Sequence, residues 1–157
     1  MLLLILVLAA GTAAFFAKRD STVAGNDQQT ASSVRDVVLG RASEATIKAY
    51  TVTAATHETD NAAAEQLMTS KMAAKYSGQV TPAQWKALTA GGAKQTSKIV
   101  ADGVTSMTAG TAHVFVLVVV TTTAKNTSSN SVVAYRLNVT LVNQGGTWLV
   151  DEMNVIF

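Results

Sequence analysis

After Gly92 the sequence changes its period. From Val34 to that point apolar residues recur every three or four positions; beyond it, four runs of alternating or β-branched residues fill the chain. A period near 3.6 marks a helix with one buried side, and a period of two marks a strand. The chain therefore reads as helices first and a sheet afterwards. The runs are joined by short turns, which connect strands antiparallel, because a parallel pair needs a crossover of a dozen residues or more. These patterns specify an α+β domain, with helices packed on a four-stranded antiparallel sheet.

The first run covers about residues 94–107 and contains Asp102-Gly103, a turn or bulge signal. Ala109-Gly110 turns the chain into AHVFVLVVVTTT, residues 112–123. This run is apolar on both faces through its centre, which predicts a mid-sheet strand covered on both sides. KNTSSN, residues 125–130, is an exposed hairpin loop. In the third run Val133, Tyr135, Leu137, Val139 and Leu141 share one face, with Arg136, Asn138 and Thr140 on the other. Gln144-Gly145-Gly146 then turns into WLVDEMNVIF, residues 148–157, where Asp151-Glu152 interrupts the alternation and marks a bulge.

Val34, Val38, Ala42, Ala45 and Ala49 lie at helical spacing and predict a first helix over about residues 34–55. Its stripe is largely alanine, so the helix axis is expected close to whatever it packs on. A second helix is expected from Asp60, a good N-cap, to Ser77, carrying Ala63, Leu67 and Tyr76 inward with Met68 and Met72 as gap-fillers. Thr81-Pro82-Ala83-Gln84 is the clearest local signal in the chain. Threonine caps, proline suits the first helical position, and glutamine reaches back to close a capping box. A short third helix through Trp85 and Leu88 follows, stopped by Gly91-Gly92.

Residues 1–17, MLLLILVLAAGTAAFFA, carry no charge. As a helix they would span roughly 26 Å, enough to cross a bilayer. A secretory signal would start with basic residues and end its apolar run on small ones; here the first are missing and Phe15 and Phe16 prolong the run. We read a retained transmembrane anchor at 1–17, a polar linker at 18–33 and a folded domain at 34–157. Lys18 and Arg19, read alone, would place the domain in the cytoplasm. A chain that opens inside its hydrophobic segment reads instead as one whose basic leader is missing, and the domain is expected on the extracytoplasmic side.

Charged residues make up 14% of the 157 residues and the net charge is +2, thinly spread, which disfavours nucleic-acid binding. With no cysteine and two histidines of unrelated position, His57 and His113, no metal site is expected. His57, beside Glu58 and Asp60, reads as a solvated turn residue. Tyr135 and Asp151 are the one carboxylate and phenol pair on strands that invites comparison with an acid–base site, but Asp151 adjoins Glu152 in an expected bulge. No nucleophile elbow or phosphate loop occurs. The chain is read as a non-enzyme without cofactor. Trp85 and Trp148 are expected to close the two ends of the core, and Trp85, His113, Tyr135 and Trp148 are the candidates for lining a pocket.

Helices followed by four antiparallel strands, the last reading Thr147-Trp148-Leu149-Val150-Asp151-Glu152-Met153, are similar to the nuclear transport factor 2-like superfamily, a sheet curved round helices into a cone. The anchor, the alanine-rich first helix, THETDNAAAEQLMTSKMAAKY (residues 56–76), the valine-rich strand and the closing Trp148-Leu149-Val150-Asp151 resemble the Mce-associated membrane proteins of actinobacteria. That resemblance implies an accessory subunit of a cell-envelope complex for lipid import, docked on other membrane protein subunits at the bilayer. Two further roles are implied: a carrier holding a sterol or lipid in the cone, and an assembly factor of a type IV secretion channel, an anchored relative of the same fold.

Overall fold

A computed structural model describes residues 32–125 and 130–156. The anchor expected at 1–17 lies outside the described residues; among these, no helix is long and apolar enough to cross a membrane. The chain forms α1 (Ser32–Tyr50), β1 (Val52–Thr53), α2 (His57–Glu65), α3 (Ser70–Ser77), α4 (Pro82–Ala90), β2 (Lys94–Met107), β3 (Thr111–Thr123), β4 (Ser131–Gln144) and β5 (Thr147–Val155). The strands make one sheet in the order β1-β2-β3-β4-β5, every neighbour antiparallel.

The sheet has five strands where the sequence suggested four. The first helix stops at Tyr50, not near residue 55, because Thr51, Val52 and Thr53 are β-branched and lose side-chain freedom in a helix. Val52 and Thr53 pair instead with Gln95 and Lys94. Three extra residues bend the sheet. β2 carries them at Val100 and Thr105, one on each side of Asp102-Gly103, and β5 carries Asp151 where Thr140 pairs with Glu152 and Leu141 with Val150. Asp102 itself stays in register opposite Val116 and accepts a hydrogen bond from Ser43 of α1. Gly145 and Gly146, both at positive φ, make the two-residue turn between β4 and β5.

The single second helix expected from Asp60 to Ser77 is broken in two. Val150 of β5 donates to Leu67 O at 2.9 Å and accepts from Thr69 N at 2.8 Å, so the chain between the helices is drawn out along the sheet edge. Thr69 then caps α3 by accepting from Met72 N at 3.2 Å. Asp60 is not the N-cap of α2. It lies in the first turn and accepts from Thr53 N at 3.0 Å and Thr56 Oγ1 at 2.9 Å, tying α2 to β1. At α4 the capping box of Thr81 and Gln84 forms with Pro82 in the first turn.

The core lies between α1 and the inner face of the sheet. Val38, Ala42 and Ala45 of α1 are fully buried against Val114, Val116, Val118, Leu137, Val139, Leu141 and Val150. Thr46, also fully buried, satisfies its hydroxyl by donating to Ala42 O at 2.8 Å. The alanines let the helix sit close to the strands. β3 departs from expectation here. Ala112, Val114, Val116, Val118 and Val120 face the core, but His113, Phe115, Leu117 and Val119 lie on the other face and stay partly exposed. The buried apolar residues of the described helices all belong to the inner cluster, so among the described residues β3 is covered on one side and not on two.

Candidate functional site

Where α1, α2, α3 and α4 meet the β1 end of the sheet, packing leaves a cavity of about 260 Å³. Tyr50, Met72, Tyr76, Trp85 and Leu88 supply its apolar walls, and Asn61, Gln79, Lys94 and Gln95 its polar ones. Each wall follows from a local feature. Tyr50 is the last residue of α1, Tyr76 ends α3 ahead of Gly78, and the capping box sets the start of α4 three residues before Trp85.

Tyr76 Oη lies 3.1 Å from Asn61 Oδ1 and 3.3 Å from Ala49 O, so its proton is donated to acceptors already in place. Burial, with Glu65 and Asp60 nearby, pushes its hydroxyl up to about 12. Burial also raises Tyr50, and its neighbour Tyr135 adds to the effect; the two rings stand 5.6 Å apart, tilted by 33°. Both phenols facing the cavity are therefore neutral donors at physiological pH and neither serves as a base. Among the described residues, no group of three His, Cys, Asp or Glu side chains could hold a metal ion.

Of the four pocket candidates, only Trp85 lines the cavity. Tyr135 stands behind Tyr50. Trp148 is 4% exposed and part of the core, and His113 lies on the outer face with Nδ1 3.2 Å from Thr140 Oγ1. His57 is not a solvated turn residue. It opens α2, bonds through Nδ1 to Ala54 O at 2.8 Å, and stacks on Trp85 with centroids 4.3 Å apart. Of the apolar walls, Tyr50, Met72, Tyr76 and Leu88 were not placed at a pocket by sequence reasoning. The signal for Tyr50 is the end of a helix beside a β-branched run, and it appears only once Val52 and Thr53 are recognised as strand.

Asp151 and Tyr135 do not share a site. Asp151 bulges out opposite the Thr140–Leu141 step, more than five residues from Tyr135 along β4, or roughly 18 Å. Its partners are Lys71 Nζ and Thr69 Oγ1, each at 2.9 Å, and Lys71 also reaches Glu152 at 3.2 Å. These bonds, that from Lys71 first, hold the Asp151 carboxyl below its ordinary 3.8, and the same contacts raise Lys71 above 10.5. The sign follows from linkage. A depressed carboxyl stabilises the fold above its unfolded value of 3.8 and stops doing so as pH falls through the lower folded one. A raised ammonium stabilises below its unfolded value of 10.5 and stops as pH rises through the folded one. Unfolding by urea across pH should show Asp151→Asn less stable than the parent at neutral pH, with the two converging below pH 3.8. A gap that persists at lower pH would contradict this.

Helices on the inner face of an antiparallel meander are shared with several solved structures. A solved nuclear transport factor 2-like protein involved in plasmid conjugation shares the fold, with a TM-score of 0.50, 13% identity, and 76% of this chain and 47% of that one covered. The chain is also similar to an IcmL-like type IV secretion system protein from Legionella pneumophila, with a TM-score of 0.63, 10% identity, and 75% of this chain and 88% of that one covered. For the periplasmic domain of DotI the TM-score is 0.61 at 13% identity, over 76% and 92% of the two chains. Neither a family model nor a curated protein matches the sequence. At these identities the likeness establishes the fold.

The resemblance to actinobacterial Mce-associated proteins, with its implied lipid transport, is corrected by these neighbours, which come from conjugation and secretion systems. The features that suggested it have a simpler origin. Close helix packing selects alanines, a central strand selects valines, and an inward tryptophan after a tight turn closes the core.

Proposed function

We propose that this chain is a non-catalytic assembly subunit of a type IV secretion channel, held at the cytoplasmic membrane with its domain on the extracytoplasmic side. The observation carrying the proposal is the shared architecture over three-quarters of the chain with an IcmL-like type IV secretion system protein. The uncharged residues 1–17 supply a means of attachment. At about 260 Å³ the cavity lies at the lower margin of the roughly 300 Å³ at which small-molecule sites usually begin.

Full-length chain carrying a C-terminal tag should be extracted from native membranes in mild detergent and its companions identified, alongside a deletion assayed for substrate transfer. Channel subunits should co-purify at fixed stoichiometry, and the deletion should abolish transfer. A chain that migrates alone, with transfer intact in the deletion, would end the proposal.

A further inference from the structure

β3 has the composition of a strand covered on both sides, yet the described helices cover one. Phe115, Leu117 and Val119 form a ridge on the outer face, flanked on β2 by Ala101 and Gly103 and on β4 by Ala134. The ridge spans roughly 13 Å, the length of two to three helical turns. Two exposed cations border it: Lys98 pairs in register with Val119, and Arg136 with Leu117. Neither has an ion pair among the described residues, whereas Arg41, Lys48 and Lys71 all do.

We infer that this outer face docks an acidic amphipathic helix of a partner protein, its apolar stripe on Phe115, Leu117 and Val119 and its carboxylates on Lys98 and Arg136. The inference deepens the assembly-subunit reading and rests on it. Charge complementarity selects the occupant. A second copy, face to face, would bring Lys98 and Arg136 against the same two cations. Residues 1–17 of the chain itself carry no charge and would leave both cations unanswered. A helix is favoured over an added strand because a sheet face buries itself under a helical layer, as the inner face does here under α1.

The test uses the full chain in nanodiscs of zwitterionic lipid and two fluorescent helical peptides, each a leucine stripe flanked by glutamates in one and by lysines in the other. The acidic peptide should bind at least tenfold more tightly, and Lys98→Glu with Arg136→Glu should erase that preference. Both positions are exposed, and circular dichroism checks that the variant keeps its fold. Equal affinity for the two peptides, or a preference that survives the double reversal, would overturn the inference. So would phosphatidylglycerol vesicles displacing the acidic peptide, or a photo-crosslinker at Phe115 joining two copies of the chain. If the peptides fail while channel subunits still co-purify, the docking face is lost and the subunit reading stands. If co-purification fails, that reading falls by itself.

Discussion

Trp148→Ala should lower the free energy of unfolding by about 3–5 kcal/mol, whereas Trp85→Ala should cost only about 1 kcal/mol. The sequence treats the two alike, as aromatic plugs at opposite ends of one core. Their surroundings differ. Trp148 follows the Gly145-Gly146 turn, points inward and is 4% exposed, so truncation leaves a void lined by atoms that cannot follow it. Trp85 is partly exposed on α4, with no fully buried neighbour on its own helix, and stacks on His57. Its truncation loses that stack and widens an existing cavity. Urea unfolding followed by far-ultraviolet circular dichroism measures both, and equal losses would contradict this assignment of the two indoles.

Enlarging the alanines of α1 should be nearly as damaging. Ala42→Leu and Ala45→Leu are each expected to cost about 1–3 kcal/mol, although leucine forms helices well and adds apolar surface. Both alanines are fully buried against the strands, and longer side chains would force the helix away from the sheet. Ala62→Leu, on an exposed position of α2, serves as the control and should change stability by less than about 0.5 kcal/mol. If Ala42→Leu and Ala45→Leu matched this control, α1 could not be packed as described.

How far the sequence could be read depended on whether a signal was local. The Thr81 to Gln84 box, the Gly145-Gly146 hairpin and the Asp151 bulge are written in adjacent residues, and each forms where expected. The fold class was legible for the same reason, since the β-branched run of β3 and the alternation along β4 need no distant partner to be seen. The break between α2 and α3 depends on Val150, more than eighty residues away, which draws Leu67 and Thr69 to the sheet edge. β1 likewise exists only because Lys94 and Gln95 pair with it. The cavity combines both difficulties. Its walls come from four helices and the β1 end of the sheet, so Trp85 could be singled out from its own neighbourhood while Tyr50 could not. His113 lies on the outer face of β3, a placement its run does not display because both parities there are apolar and one residue along a strand exchanges the inside for the outside.

The hydrogen bonds between Leu67, Thr69 and Val150 have a consequence for how copies of this chain tolerate one another. A bare border strand is a template onto which another polypeptide can zip. Here the β5 border is occupied over part of its length by the link between α2 and α3, and at the other border β1 is two residues long while β2 is kinked twice. Molecules crowded side by side on a membrane would find little continuous backbone to polymerise along, and high local density need not seed fibres.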